Sequence, residues 1–196
     1  MAATTDPPPA SDAGFDTLQI HTSRLRLRPL DEPDAPALLA IFGDPQVMRY
    51  WSTPPWTGLD EARGLIERDR SAMRLGHYLR LGLERADDGA LIGACTLFDL
   101  HPTSRRAEVG YVLAAQAWGR GYMHEALSAL LDHGFDALDL NRIEADIDPR
   151  NQASARALQR LGFRQEGLLR ERWIVAGQVS DSALYGLLRA DWRSRS

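Results

Sequence analysis

Apolar and charged side chains alternate over residues 24–30, RLRLRPL, the period-2 pattern of a strand with one buried face. Asp34 then precedes Ala37, Leu38, Ile41 and Phe42, a helical spacing with a capping residue before it and Gly43 and Pro45 behind it. Pro54-Pro55 breaks the chain again, and residues 60–75 predict a second, mostly polar helix. Strands follow over 78–84 and 90–99, joined by the turn Asp87-Asp88-Gly89, and a further one over 106–113. Met123, Ala126, Leu127, Leu130, Leu131, Gly134 and Phe135 recur at i, i+3, i+4 and i+7, an apolar helical stripe. Residues 141–147 predict a strand, 151–161 a short helix stopped by Gly162, and 163–188 two strands turning at Gly177. A strand meander followed by two strand–helix units predicts one mixed α/β sheet rather than an all-parallel one.

No repeat or linker divides the pattern, and 196 residues suit one sizeable core. The opening MAATTDPPPASDAG carries too few apolar groups to offset ordering, so residues 1–17 are expected to be a disordered tail and 18–193 the folded domain. That opening has neither the basic nor the apolar region of a secretory signal, and no apolar run is of membrane-spanning length. A cytoplasmic protein is expected. The formal net charge of -4 argues against general nucleic-acid binding, which needs a basic surplus. It is the charge of an ordinary soluble surface and would also suit a cationic substrate. Cys95 is the only cysteine and lies in the apolar run ALIGACTLF, as a buried thiol would. Five histidines form no ligand cluster, so no metal site is expected.

The chemistry concentrates in QAWGRGYMHEAL, residues 116–127. A dinucleotide fingerprint would need glycine where His124 stands, and a P-loop would need Lys-Ser/Thr after Gly121. Both readings fail. What remains is a strand ending near Leu113, a loop with Gly119 and Gly121, and a helix opening near Tyr122. Free N–H groups at such a helix start suit an anion, and Arg120 adds charge. On these residues alone a tight turn and an anion cradle stand equal.

Gln116-Ala-Trp-Gly119-Arg-Gly121 resembles the [RQ]-x-x-G-x-[GA] acyl-CoA pyrophosphate loop of the GNAT N-acetyltransferases. Asn151-Gln-Ala-Ser154, with Leu161-Gly162-Phe163-Arg-Gln-Glu166-Gly167, is similar to the N-x-x-S…G-F-x-x-E-G region of that family's RimJ/RimL branch, which includes ribosomal-protein N-terminal acetyltransferases. HTSRLRLRPL (21–30), AEVGY (107–111) and Gly177…Asp181-Ser182…Tyr185 fit the same branch, so the likeness runs from about residue 20 to 192.

The resemblance implies an α/β (α+β) fold: one domain with a mixed, mostly antiparallel sheet of about six to seven strands, splayed in the middle and flanked by about four helices. It implies acetyl transfer from acetyl-CoA to a primary amine by direct attack in a ternary complex, without a metal. The amine would be a protein N-terminus, a ribosomal one included, or a small molecule such as a polyamine or antibiotic. A non-catalytic acyl-CoA-binding module is the alternative, and a homodimer would match relatives. Pyrophosphate would lie on Gly119, Arg120, Gly121, Tyr122 and Met123 beside Gln116, and pantetheine along Tyr111, Val112 and Leu113. Asn151 would bond the pantetheine arm, cap its helix, or do both. Many relatives carry a tyrosine acid seven residues beyond that asparagine; Leu158 stands there, and Ser154 is the substitute donor to the sulfur. Two carboxylates are candidate bases acting through water: Glu108, otherwise a strand residue paired with Arg105 or Arg106, and Glu166, otherwise a turn carboxylate. Tyr50, Trp51 and Trp56 would wall the acceptor pocket or else close the core over the prolines.

Overall fold

In the computed structural model, which describes residues 14–194, the first alternating segment forms the strand β2 (Leu25–Arg28). Leu25 and Leu27 are wholly buried on one face, while Arg26 and Arg28 reach the other and bond Glu84. Before it lies β1 (Ile20–His21), and after it come α1 (Ala35–Phe42), α2 (Leu59–Arg74), β3 (Leu79–Arg85), β4 (Leu91–His101) and β5 (Arg106–Leu113). The remainder is α3 (Tyr122–Asp136), β6 (Arg142–Ile147), α4 (Gln152–Arg160), β7 (Arg164–Val175), β8 (Gln178–Leu188) and α5 (Arg189–Arg193).

The strands form one sheet in the order β1-β2-β3-β4-β5-β6-β8-β7. Every pairing is antiparallel except β5 with β6. That parallel pair runs only through Arg106–Arg142, Ala107–Ile143 and Glu108–Glu144. Beyond it β5 stays with β4 as far as Leu113, and β6 stays with β8 as far as Ile147. The sheet therefore forks after Glu108, leaving backbone groups on the inner edges of both arms without a strand partner.

One face of the sheet packs on α3 through Ala126, Leu127, Leu130, Leu131 and Phe135, with Leu158 of α4 beside them. The other face meets α1 and α2, where Leu38, Ile41, Phe42 and Ile66 cover Ala94 and Val112. Cys95 is a buried thiol in the first of these cores.

Eight strands replace the expected six to seven because Ile20–His21 pairs with Leu27 and Arg26, too short a stretch to show a period. α5 adds a fifth helix for the same reason. Asp34 stands just before α1, but its carboxylate does not cap that helix. It accepts instead from the Asp31 amide at 2.8 Å and from Arg28, closing a 3-10 turn over Glu32–Asp34. Most of the expected tail, residues 1–13, lies outside the described residues. Of its last part, Phe15 is buried in the core and its amide donates to the Met73 carbonyl at 2.8 Å.

Candidate active site

The glycine loop begins where β5 ends. A 3-10 turn over Ala115–Ala117 follows, and the Trp118 indole N–H donates back to the Leu113 carbonyl at 2.8 Å. Gly119 and Gly121 have φ of 73° and 80°, the left-handed region that side chains resist. A β-carbon at Gly119 would meet no protein atom within 4 Å, so conformation rather than crowding requires glycine there. Gly121 is the N-cap of α3, and the first helical bond is Glu125 N–H to the Gly121 carbonyl at 3.1 Å. The amides of Tyr122, Met123 and His124 consequently have no acceptor within the helix, which suits them to a phosphate.

A clamp that the sequence reasoning missed holds this loop. One Glu125 oxygen accepts from the Thr22 hydroxyl (2.7 Å), the Ser23 hydroxyl (2.9 Å) and the Arg24 amide (2.8 Å). The other accepts from Arg24 Nε at 2.6 Å. Arg24 Nη1 then donates to the Arg120 carbonyl at 2.9 Å, and the guanidinium lies 4.7 Å over the Tyr122 ring. Partial burial works to raise the Glu125 carboxyl, but these donors prevail and hold it at about 2. The only available signal was HTSRLRLRPL, which the family resemblance picked out without a role.

The fork in the sheet opens into a cleft of about 520 Å³, whose lining includes Tyr50, Trp51, Glu108, Tyr111, Asn151 and Ser154. Val112 also lines it, whereas Leu113 turns into the core. Asn151 caps α4, its Oδ1 accepting the Ser154 amide at 3.1 Å. The Ser154 hydroxyl meets the Tyr111 phenol at 2.5 Å. Burial pushes that phenol up to about 12, against the opposing effect of the serine bond. Leu158 is wholly buried in the core and offers nothing to the cleft.

Glu108 sits on the last rung of the β5–β6 pairing, at the root of the fork. Burial raises its carboxyl above the ordinary range, and the charges of Asp99, Asp146 and Glu144 add to the effect against Arg106. Neither arginine expected to pair with it does so. Arg106 bonds Glu144 at 3.1 Å and Arg105 bonds Asp139 at 2.8 Å, leaving the Glu108 side chain without an ion pair among the described residues.

Glu166 does not join this group. It lies on β7 in a two-pronged bond with Arg142 (3.1 and 2.5 Å), packed over Gly186, and it is not among the cleft residues. The arginine holds its carboxyl below the ordinary range despite some burial. Trp56 is also elsewhere: it stacks on Phe42 at 4.4 Å and closes the second core, whereas Tyr50 and Trp51 reach the cleft.

The opposite wall, Asp146, Arg172 and Trp173, was not foreseen. Asp146 accepts from the buried Ser182 hydroxyl and lies 3.5 Å from Arg172 Nε. A bulge in β7 between Leu169 and Trp173, with Glu171 at φ 53° and its amide on Asp181 at 2.8 Å, changes the strand's register there. Among the described residues no cluster of three or more His, Cys, Asp or Glu could hold a metal, and no helix is long and apolar enough to cross a membrane.

Comparison with known proteins agrees with this geometry. The Acetyltransferase (GNAT) domain family matches residues 24–164. An uncharacterized N-acetyltransferase, p20 of Bacillus licheniformis, is 34% identical over 173 residues, 88% of this chain and 97% of its own. The spermidine N(1)-acetyltransferase of Escherichia coli K12 is 27% identical over 81% of this chain and 82% of its own. Among solved structures, a probable acetyltransferase superposes with a TM-score of 0.82 at 29% identity, covering 89% of this chain and 99% of that one. RimJ of Mycobacterium smegmatis, in complex with CoA-disulfide, gives 0.78 at 28% identity over 91% and 90%. The forked sheet, the glycine loop and these matches together make the chain a member of the GNAT family, an acetyl-CoA-dependent N-acetyltransferase.

Proposed function

We propose that the acceptor is a cationic small amine bearing a second ammonium group, and that Glu108 accepts its proton through a water. The observation that carries this reading is the pair of cleft carboxylates, Glu108 and Asp99, that have no ion pair among the described residues. Arg80 and Arg172, the arginines of the cleft, are engaged with Asp69 and Asp146. One carboxylate deprotonates the reacting nitrogen while the other faces the distant ammonium. Tyr50, Trp51, Phe98 and Trp173 offer aromatic faces to the methylenes and the charge between them. The relationship to a spermidine acetyltransferase supports the same class.

In this reading the α3 start and Gly119–Met123 hold the CoA pyrophosphate. The pantetheine arm enters the fork and bonds the unpaired edge of β5 at Tyr111 and Val112, with Asn151 alongside. The thioester then lies between Glu108 and Ser154. Glu108 with its water takes the ammonium proton, the neutral nitrogen attacks the carbonyl carbon, and a β5 amide faces the oxyanion. Ser154 donates a hydrogen bond to the departing sulfur.

Release of free thiol from acetyl-CoA, followed over diamines, monoamines and N-terminal peptides, tests the assignment. Diamines are expected to show the highest kcat/KM, and Asp99→Asn to lower it about 10-fold for diamines while leaving monoamines unchanged. Equal turnover of peptides, or an Asp99→Asn defect independent of the second ammonium, would refute the substrate class. Tight CoA binding with no thiol release on any amine would instead favour a non-catalytic acyl-CoA module.

A further inference from the structure

The Tyr111–Ser154 contact joins the two arms of the cleft, β5 and α4, through side chains that are 43 residues apart. At 2.5 Å the hydroxyls share one hydrogen bond, and either atom has the chemistry to donate. The phenol's other acceptor within reach, the Ser154 backbone carbonyl at 3.5 Å, is too distant to compete with the hydroxyl at 2.5 Å, and two considerations then give the direction. A phenol is a far stronger acid than an aliphatic alcohol, so it is the better donor and the serine oxygen the better acceptor. The phenol also lines a half-buried wall, where burial keeps its proton in place up to about 12. With Tyr111 donating, the serine's own proton is left over, and its side chain opens on the cleft.

A helix serine can turn that proton back onto a carbonyl three or four residues earlier. Ser154 makes no such bond among the described residues, because its oxygen is pinned to the tyrosine. We propose that Tyr111 is a positioning residue for the reaction: it holds the Ser154 hydroxyl with its proton directed at the leaving sulfur.

The inference rests on the reading of Ser154 as the donor to sulfur. As the tetrahedral intermediate collapses, the C–S bond breaks and its electron pair goes to sulfur. The Ser154 O–H bonds to that charge. Glu108 already holds the proton taken from the ammonium before attack, so the second nitrogen proton leaves through the water to solvent, and the thiolate takes a proton from solvent. Tyr111 gives up no proton, since a phenol at about 12 is too weak an acid to protonate a thiolate whose thiol lies near 8.5. Its contribution is the direction of the serine donor.

Steady-state kinetics of Tyr111→Phe, Ser154→Ala and the double variant test this, with thermal unfolding and CoA binding as controls for folding. Loss of one hydrogen bond to a charged group predicts a kcat about 10- to 100-fold lower for Ser154→Ala. Tyr111→Phe is expected to lower kcat about 10-fold with KM for acetyl-CoA and amine within about twofold, and the double variant to be no slower than Ser154→Ala. A fluorinated tyrosine at position 111 leaves the packing intact and makes the phenol more acidic. The basic limb of kcat against pH should then move to lower pH, which a merely structural tyrosine would not cause. If Ser154→Ala keeps the wild-type kcat, the reading of Ser154 falls. If Ser154→Ala is slow but Tyr111→Phe is not, if the two losses multiply, or if the fluorinated protein keeps its basic limb, the role of Tyr111 falls and that of Ser154 stands.

Discussion

Glu108→Gln keeps the shape of the side chain and removes both its charge and its basicity, so it isolates what the carboxylate does. In the structure the group is half-buried, faces three other carboxylates and has no cation bonded to it, which is why its carboxyl lies above the ordinary range. A base of this kind, working through one water, is worth about 10²- to 10⁴-fold. The variant should lose about 100-fold or more in kcat/KM for the amine while binding acetyl-CoA as before. In the wild type, kcat/KM should rise with pH as Glu108 ionises, starting above the usual glutamate range, and Glu108→Gln should lack that limb.

The same shift carries a stability consequence of opposite sense. A carboxyl whose folded value is raised favours folding in its protonated form, so its stabilising contribution is complete below the unfolded value and disappears as pH rises through the folded one. At neutral pH the wild type therefore carries an ionised, partly desolvated Glu108 that the glutamine variant lacks. Glu108→Gln should melt at a higher temperature than wild type at pH 7, with the gap closing below pH 4. An acidic limb that survives in the variant would remove Glu108 as the base. A variant that melts lower at pH 7 would refute the account of why the group is perturbed.

Arg24→Ala removes the bonds to Glu125 and to the Arg120 carbonyl together with the stack on Tyr122. With the exposure of the guanidinium discounted, about 1.5 kcal/mol is at stake, so KM for acetyl-CoA should rise about 10-fold with kcat unchanged, and Lys should not restore it. An unchanged KM would mean that the clamp does not shape the loop. Gly121→Ala forces a β-carbon into φ 80° and should cost about 1–2 kcal/mol in unfolding free energy, as measured in urea, with a raised KM for acetyl-CoA. Glu166→Gln breaks only the partly exposed pair with Arg142; kcat and its pH profile should match wild type, and a lost acidic limb would return Glu166 to the chemistry.

The elements were legible wherever one face is buried and the other wet. Leu25 and Leu27 against Arg26 and Arg28, or the α3 stripe from Ala126 to Phe135, are periodic because each meets a core on one side only. β7 shows no period because nearly all of it is exposed, so the bulge that sets the register of Arg172 and Trp173 left no trace in the pattern. The two carboxylates were indistinguishable in sequence for a different reason. Each stands beside a recognisable block, but their fates depend on which arginine lies across the strands. Arg142 reaches Glu144 and Glu166 together, and Arg106 also turns to Glu144. Glu144 thus draws off the cation nearest to Glu108, while Glu166 is saturated by the other. Both outcomes follow from one register, in which Glu108 and Glu144 face each other on the last rung before the fork. Neutralising Glu144 should therefore lower the Glu108 carboxyl on two counts: Glu144→Gln removes a like charge beside it and frees Arg106 for it, moving the acidic limb of kcat/KM to lower pH. An unmoved limb would show that neither the Glu144 charge nor the arginine it holds sets the Glu108 carboxyl, and the unpaired state of Glu108 would then owe nothing to its neighbour.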